Sequence, residues 1–155
     1  MKFPTKSFAA LMILGVSFVV TSAQEKKIKR EQLPPAVEKT VARESEGATI
    51  KGFASEVEPG QKFYEASFEV NGHTKDILMD SSGNVVEVEE QVTMSSLPTV
   101  VQDALKKLTR SWTITTVESL TKNGQLVAYE AHVKHGMKRS EIQVGPNGEK
   151  LKHPE

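Results

Sequence analysis

Cysteine is absent from the chain, which excludes thiolate nucleophiles, disulfides, zinc–thiolate sites and a lipid-bearing cysteine. Chemistry would have to come from four histidines and from spaced carboxylates. His132 and His135 stand three apart. On a strand such residues point to opposite faces, and with no carboxylate or third histidine at ligand spacing no metal site is expected. His132 reads as solvent-facing and His135 as a turn residue. Asp76 and Asp80 share a strand face, but four residues of strand span roughly 13 Å, beyond the carboxyl spacing of glycosidases. They read as solubilising, with Asp80 also opening the turn before Gly83. No serine sits in a Gly-x-Ser-x-Gly elbow, and no glycine-rich phosphate loop precedes Lys-Ser or Lys-Thr. The expectation is a protein without catalytic residues, cofactor or metal, and so not an enzyme.

The elements that carry these residues are written twice. At an offset of 64 to 65 residues, Leu33-Pro34-Pro35-Ala36-Val37 matches Leu97-Pro98-Thr99-Val100-Val101, Tyr64-Glu65-Ala66 matches Tyr129-Glu130-Ala131, and Gly83 matches Gly148. Each copy opens with a helix. Val37 and Val41 stripe the first, with Pro34 and Pro35 at its start and Gly47 as its stop; in the second, Ser95 and Ser96 precede Leu97, Val101, Ala104, Leu105 and Leu108. Three turn signals follow in each copy: Pro59-Gly60, Asn71-Gly72 and Ser82-Gly83, then Asn123-Gly124, His135-Gly136 and Asn147-Gly148. Three turns separate four strands. The fold class is therefore α+β, two tandem modules, each one helix followed by a four-stranded antiparallel sheet.

Alternation separates the sheet faces. Tyr64, Ala66, Phe68 and Val70 should point inward in copy one, and Val127, Tyr129, Ala131 and Val133 in copy two, the odd offset reversing the parity. The opposite face carries Phe63, Glu65, Ser67, Glu69 and Leu78 in copy one and Glu130, His132 and Lys134 in copy two. These eight residues are the candidate partner-binding surface, Phe63 and Leu78 being its apolar anchors. Trp112, the one tryptophan, is expected either between helix and sheet or as an interface anchor.

Lys2 and Lys6 precede an uncharged stretch from Ser7 to Ala23, the pattern of a secretory signal peptide cleaved after Ala23. Its removal leaves 132 residues with a net charge of −2, because 20 Lys and Arg against 20 Asp and Glu lose two lysines. Such a surface lacks the basic stripe of a nucleic-acid binder, and no stable membrane insertion is expected after cleavage. The expected organisation is signal peptide 1–23, charged segment 24–31, first repeat 32–90, linker 91–96 and second repeat 97–155.

The stretch Phe63-Tyr-Glu-Ala-Ser-Phe-Glu-Val-Asn-Gly-His-Thr-Lys-Asp-Ile-Leu-Met-Asp80-Ser-Ser-Gly-Asn-Val-Val-Glu-Val88 resembles the PepSY-like, beta-lactamase-inhibitor-like family, and Val127 to Leu151 resembles it more loosely. The resemblance covers about residues 32–152. It implies tandem helix-on-sheet modules, export from a bacterial cell to the periplasm or beyond, no catalytic residues, and inhibition of a secreted or periplasmic hydrolase or peptidase. Copy two departs from the pattern in Val144-Gly145-Pro146-Asn147-Gly148, which has no counterpart of Asp80. The leading expectation is an exported protein-binding module whose partner is another exported protein. The alternative is a small-ligand carrier or envelope sensor that binds in the groove between the repeats.

Overall fold

The computed structural model describes residues 26–58 and 60–151. The expected signal peptide, Pro59 of the first turn and residues 152–155 lie outside them. The elements run β1 (Lys26–Ile28), α1 (Pro35–Glu44), β2 (Thr49–Glu58), β3 (Gln61–Val70), β4 (His73–Asp80), β5 (Val85–Val92), α2 (Thr99–Thr109), β6 (Thr113–Lys122), β7 (Gln125–His135) and β8 (Lys138–Val144). All eight strands form one antiparallel sheet in chain order.

This differs from two four-stranded modules in three respects. β5 and β6 pair from Glu87 opposite Lys122 to Val92 opposite Val117, so the sheet is continuous and the first two residues of the expected 91–96 linker end a strand. β1, drawn from the charged N-terminal segment, pairs with β2 and extends the edge. After β8 a single bridge between Val144 and Lys150 replaces a fourth strand. The reason is local: Gly145 N–H donates to Glu149 O at 2.8 Å and Asn147 N–H to the Glu149 carboxylate at 2.9 Å, closing a tight turn around Pro146, which has no N–H for a ladder. In the turn after β4, the Asp80 carboxylate accepts Ser82 N–H at 2.8 Å and Asn84 N–H at 2.9 Å. Glu149 thus closes the later turn from its far side.

Each helix starts behind a proline, Pro34 or Pro98, and buries one narrow stripe: Val37, Thr40 and Val41 in α1, and Val101, Leu105 and Thr109 in α2. Four-residue spacing stacks these side chains on one side. Ser95 and Ser96 do not start α2; they lie in a 3-10 turn, Met94–Ser96, where Ser96 Oγ donates to Thr93 O at 2.7 Å. Two apolar clusters result. One joins Val37 and Val41 to Tyr64, Ala66, Phe68, Ile77 and Met79, and the other joins Val101 and Leu105 to Val117, Ala131, Val133 and Val144. The register places both on one sheet face, since Ile77 stands opposite Val88 and, two pleats further along β5, Val92 stands opposite Val117. Trp112 packs half-buried against the second cluster, its ring 5.7 Å from that of His135. The hairpins at Asn71-Gly72 and Asn123-Gly124 have positive φ at both residues (51 and 82°, 49 and 78°), the two-residue turn whose twist matches its strands.

Candidate functional site: the open face of the sheet

With both helices on one side, no described element covers the other. All eight candidate residues lie on this open face, as the alternation requires. Phe63 stands opposite Asp80, Glu65 opposite Leu78, and Ser67 opposite Asp76. Glu69 is ion-paired to Lys51 at 2.9 Å. Glu130 stands opposite Gln143, His132 opposite Glu141, and Lys134 opposite Arg139. The residues do not form a single patch. Three strand spacings, roughly 14 Å, separate β4 from β7.

What fills the gap was missed from the sequence. β5 and β6 contribute Glu87, Glu89 and Glu118, and the register sets Asp76 opposite Glu89 and Glu118 opposite Glu130. Like charges directly opposite each other oppose pairing. The Glu87-Val88-Glu89 alternation carried the signal, but only the pairing of β5 with β6 brings the two acidic rows together.

The face is also less solvated than alternation suggests. Leu120 and Ala128, both on it, are buried, and Glu130, placed by the alternation on the outward face, is only 8% exposed. Glu130 occupies a strand flanked on both sides, where Glu118, Gln143 and His132 close over it. Burial and like charges shift the local acids. Glu89 is pushed up to about 8 by burial and by the charges of Glu130, Glu87, Glu118 and Asp76. Burial also raises Glu130, against a lowering hydrogen bond from Gln143. For His132, burial disfavours the charged ring, but the Glu118 hydrogen bond and the charges of Glu118, Glu130 and Glu141 outweigh it and raise its pKa.

The expectation that no carboxylate accompanies His132 is overturned. Its Nε2 lies 2.8 Å from Glu118 Oε2 and 3.4 Å from Glu130 Oε1, and its Nδ1 lies 3.5 Å from Glu141 Oε1. Strand residues two apart share a face and the neighbouring strand supplies the third group. Glu130 is local to His132, and only the β6–β7 register brings Glu118 to the pair. His135 belongs to the other face, beside Trp112.

The open face is also indented. Its depression on the first half, about 220 Å³, is walled by Glu56, Glu65, Asp76, Glu87 and Glu89 around Leu78. A larger one of about 780 Å³ lies at the β8 edge, between Leu108, His132, Arg139, Glu141 and Lys150.

The titration of Glu89 makes stability pH-dependent. Its folded-state pKa is raised above 4.5, so the unfolded chain loses this proton first, and stability falls as pH rises from about 4.5 to about 8. The full shift is discounted because the side chain is partly solvated, leaving an expected loss of about 1–2 kcal/mol. Urea titrations in chelator at pH 5 and pH 8 should show that loss in wild type and a reduced loss in Glu89→Gln. Equal pH slopes for the two proteins would exclude Glu89 as its source.

No protein-family model matches the sequence, and no curated protein matches it. Solved structures share its fold. A protein from Bacteroides eggerthii, provisionally described as periplasmic, is 18% identical with a TM-score of 0.62, the match covering 77% of this chain and 86% of that one. A DUF2874 family protein from Bacteroides uniformis is 19% identical with a TM-score of 0.60 over 77% and 86%. A BLIP-like protein from Bacteroides fragilis is 21% identical with a TM-score of 0.56 over 77% and 83%. The chain therefore has a BLIP-like α+β fold: two helices on one face of an eight-stranded antiparallel sheet. None of its described helices is long and apolar enough to cross a membrane.

Proposed function

We propose that the protein is an exported, periplasmic, non-catalytic binding module that docks another exported protein on its open sheet face, and that this partner is a hydrolase or peptidase which it inhibits. The observation that carries this reading is the face itself. One continuous sheet presents a broad polar surface with half-buried Phe63 and Leu78 set into it, the arrangement of an apolar anchor within a polar rim. A standard interface requires about 800 Å² per partner, which a sheet of this size can offer. Likeness to a BLIP-like protein and the signal-peptide pattern at residues 1–23 support the same reading, as does the internal repeat, which we read as a duplication.

The test is affinity for a partner captured from the host's envelope. Phe63→Ala and Glu65→Lys are each expected to weaken binding at least tenfold, about 1.4 kcal/mol, with folding checked by circular dichroism. Lys134→Glu probes the second half of the face; Glu130 is unsuitable because a lysine at this buried position would unfold the protein. Unchanged affinity in all folded variants would remove this face as the docking surface.

A further inference from the structure

We propose that Glu118, Glu130 and His132 form a site for one divalent transition-metal ion of the zinc class. His132 Nε2 lies 2.8 Å from Glu118 Oε2 and 3.4 Å from Glu130 Oε1, and the three donor atoms all fall within 4.8 Å of one another. An ion bound tetrahedrally at about 2.0–2.2 Å keeps its donors roughly 3.3–3.6 Å apart, so small side-chain rotations seat it.

A second observation is the charge balance of the set. The Glu130 side chain is 10% exposed, and its Oε2 accepts a hydrogen bond from Gln143 at 2.6 Å. Its Oε1 faces His132 Nε2 at 3.4 Å, and the same nitrogen lies 2.8 Å from Glu118 Oε2. No described lysine or arginine pairs with Glu118 or Glu130, and two like charges set directly opposite each other on neighbouring strands are costly without a cation between them. Both charges are instead turned toward one imidazole.

The surroundings resemble a supported donor set. Gln143 fixes the Glu130 carboxylate from behind, and Glu141 Oε1 stands 3.5 Å from His132 Nδ1, where a carboxylate orients a ligating imidazole. His132 remains 36% exposed, leaving a path for the ion and a fourth position open to water or to an outside group. The imidazole nitrogen selects a zinc-like ion over calcium, which prefers six to eight oxygens.

The test is calorimetric titration of untagged protein with Zn²⁺ in metal-free buffer. One ion per chain is expected, with binding at least tenfold weaker in His132→Ala and in Glu130→Gln and unchanged in His73→Ala, whose histidine is exposed at the start of β4. Should the site variants fail to fold, imidazole ¹⁵N spectra of wild type decide the matter, since Zn²⁺ should shift His132 ahead of His73 and His135. Absence of binding, undiminished affinity in folded His132→Ala, or a first response at His73 or His135 would overturn the site. Ca²⁺ or Mg²⁺ binding as tightly as Zn²⁺ would overturn the class of ion.

Discussion

Gly83→Ala and Gly148→Ala are each expected to destabilise the fold by about 2–5 kcal/mol. Both glycines have positive φ, 79° and 77°, which costs a residue with a Cβ about 1–2 kcal/mol. Both also lie beneath the first turn of a helix. A Cβ on Gly83 would come within 2.5 Å of the Ala36 carbonyl oxygen, and one on Gly148 within 2.6 Å of that of Val100. These are backbone atoms that cannot rotate away, so either the turn or the helix must shift, at the cost of overpacking, about 1–3 kcal/mol. Thr40 Oγ1 also donates to Gly83 O at 2.7 Å in a buried bond, which such a shift would break. Gly72→Ala is the control: its φ is 82°, but nothing lies within 4 Å of the added methyl, so only the conformational cost applies. Equal losses for Gly72→Ala and Gly83→Ala in urea titrations would show that the helix contact contributes nothing.

Tyr64→Ala is expected to cost about 3–5 kcal/mol, the range for truncating a buried aromatic ring. Tyr64 is 7% exposed in the first cluster, stands opposite fully buried Met79, and carries the Lys62 ammonium 4.9 Å from its ring centroid. Alternation makes Tyr129 its equivalent, and Tyr129 does face the second cluster, but only half-buried. Tyr129→Ala is therefore expected to cost about half as much, because truncation loses only the area removed from water. Glu65→Ala, on the opposite face of the same strand, should stay within about 1 kcal/mol. Thermal and urea unfolding of the three variants would check the order, and a loss for Glu65→Ala equal to that for Tyr64→Ala would invert the face assignment.

Much of the fold was legible because hairpin turns and strand faces are local properties. Asn71-Gly72 and Asn123-Gly124 tolerate positive φ, so they announce two-residue turns wherever they occur. The parity of Tyr64, Ala66 and Phe68 and of Tyr129, Ala131 and Val133 follows from the period-two geometry of any strand. Strand number in the second half was misread at Asn147-Gly148, which has the composition of a hairpin turn but is closed by Glu149 onto Gly145 and Asn147. Turn chemistry marks a reversal of direction and says nothing about whether a ladder continues beyond it.

The candidate site divides in the same way. Residue type and alternation alone placed Phe63, Glu65, Leu78, Glu130 and His132 on one face, and the missing cysteines exclude thiolate chemistry there. Which of those residues meet was decided by the tertiary structure, because the side chain facing Glu130 or His132 depends on the register of β6 with β7 and β7 with β8, and the joining of the halves depends on β5 pairing with β6. Burial of Glu130, elevation of Glu89 to about 8 and convergence of Glu118 on His132 are sums over neighbouring strands. Each strand's sequence sets which way its side chains point, while the charge density and solvation of the face arise only where the strands lie side by side.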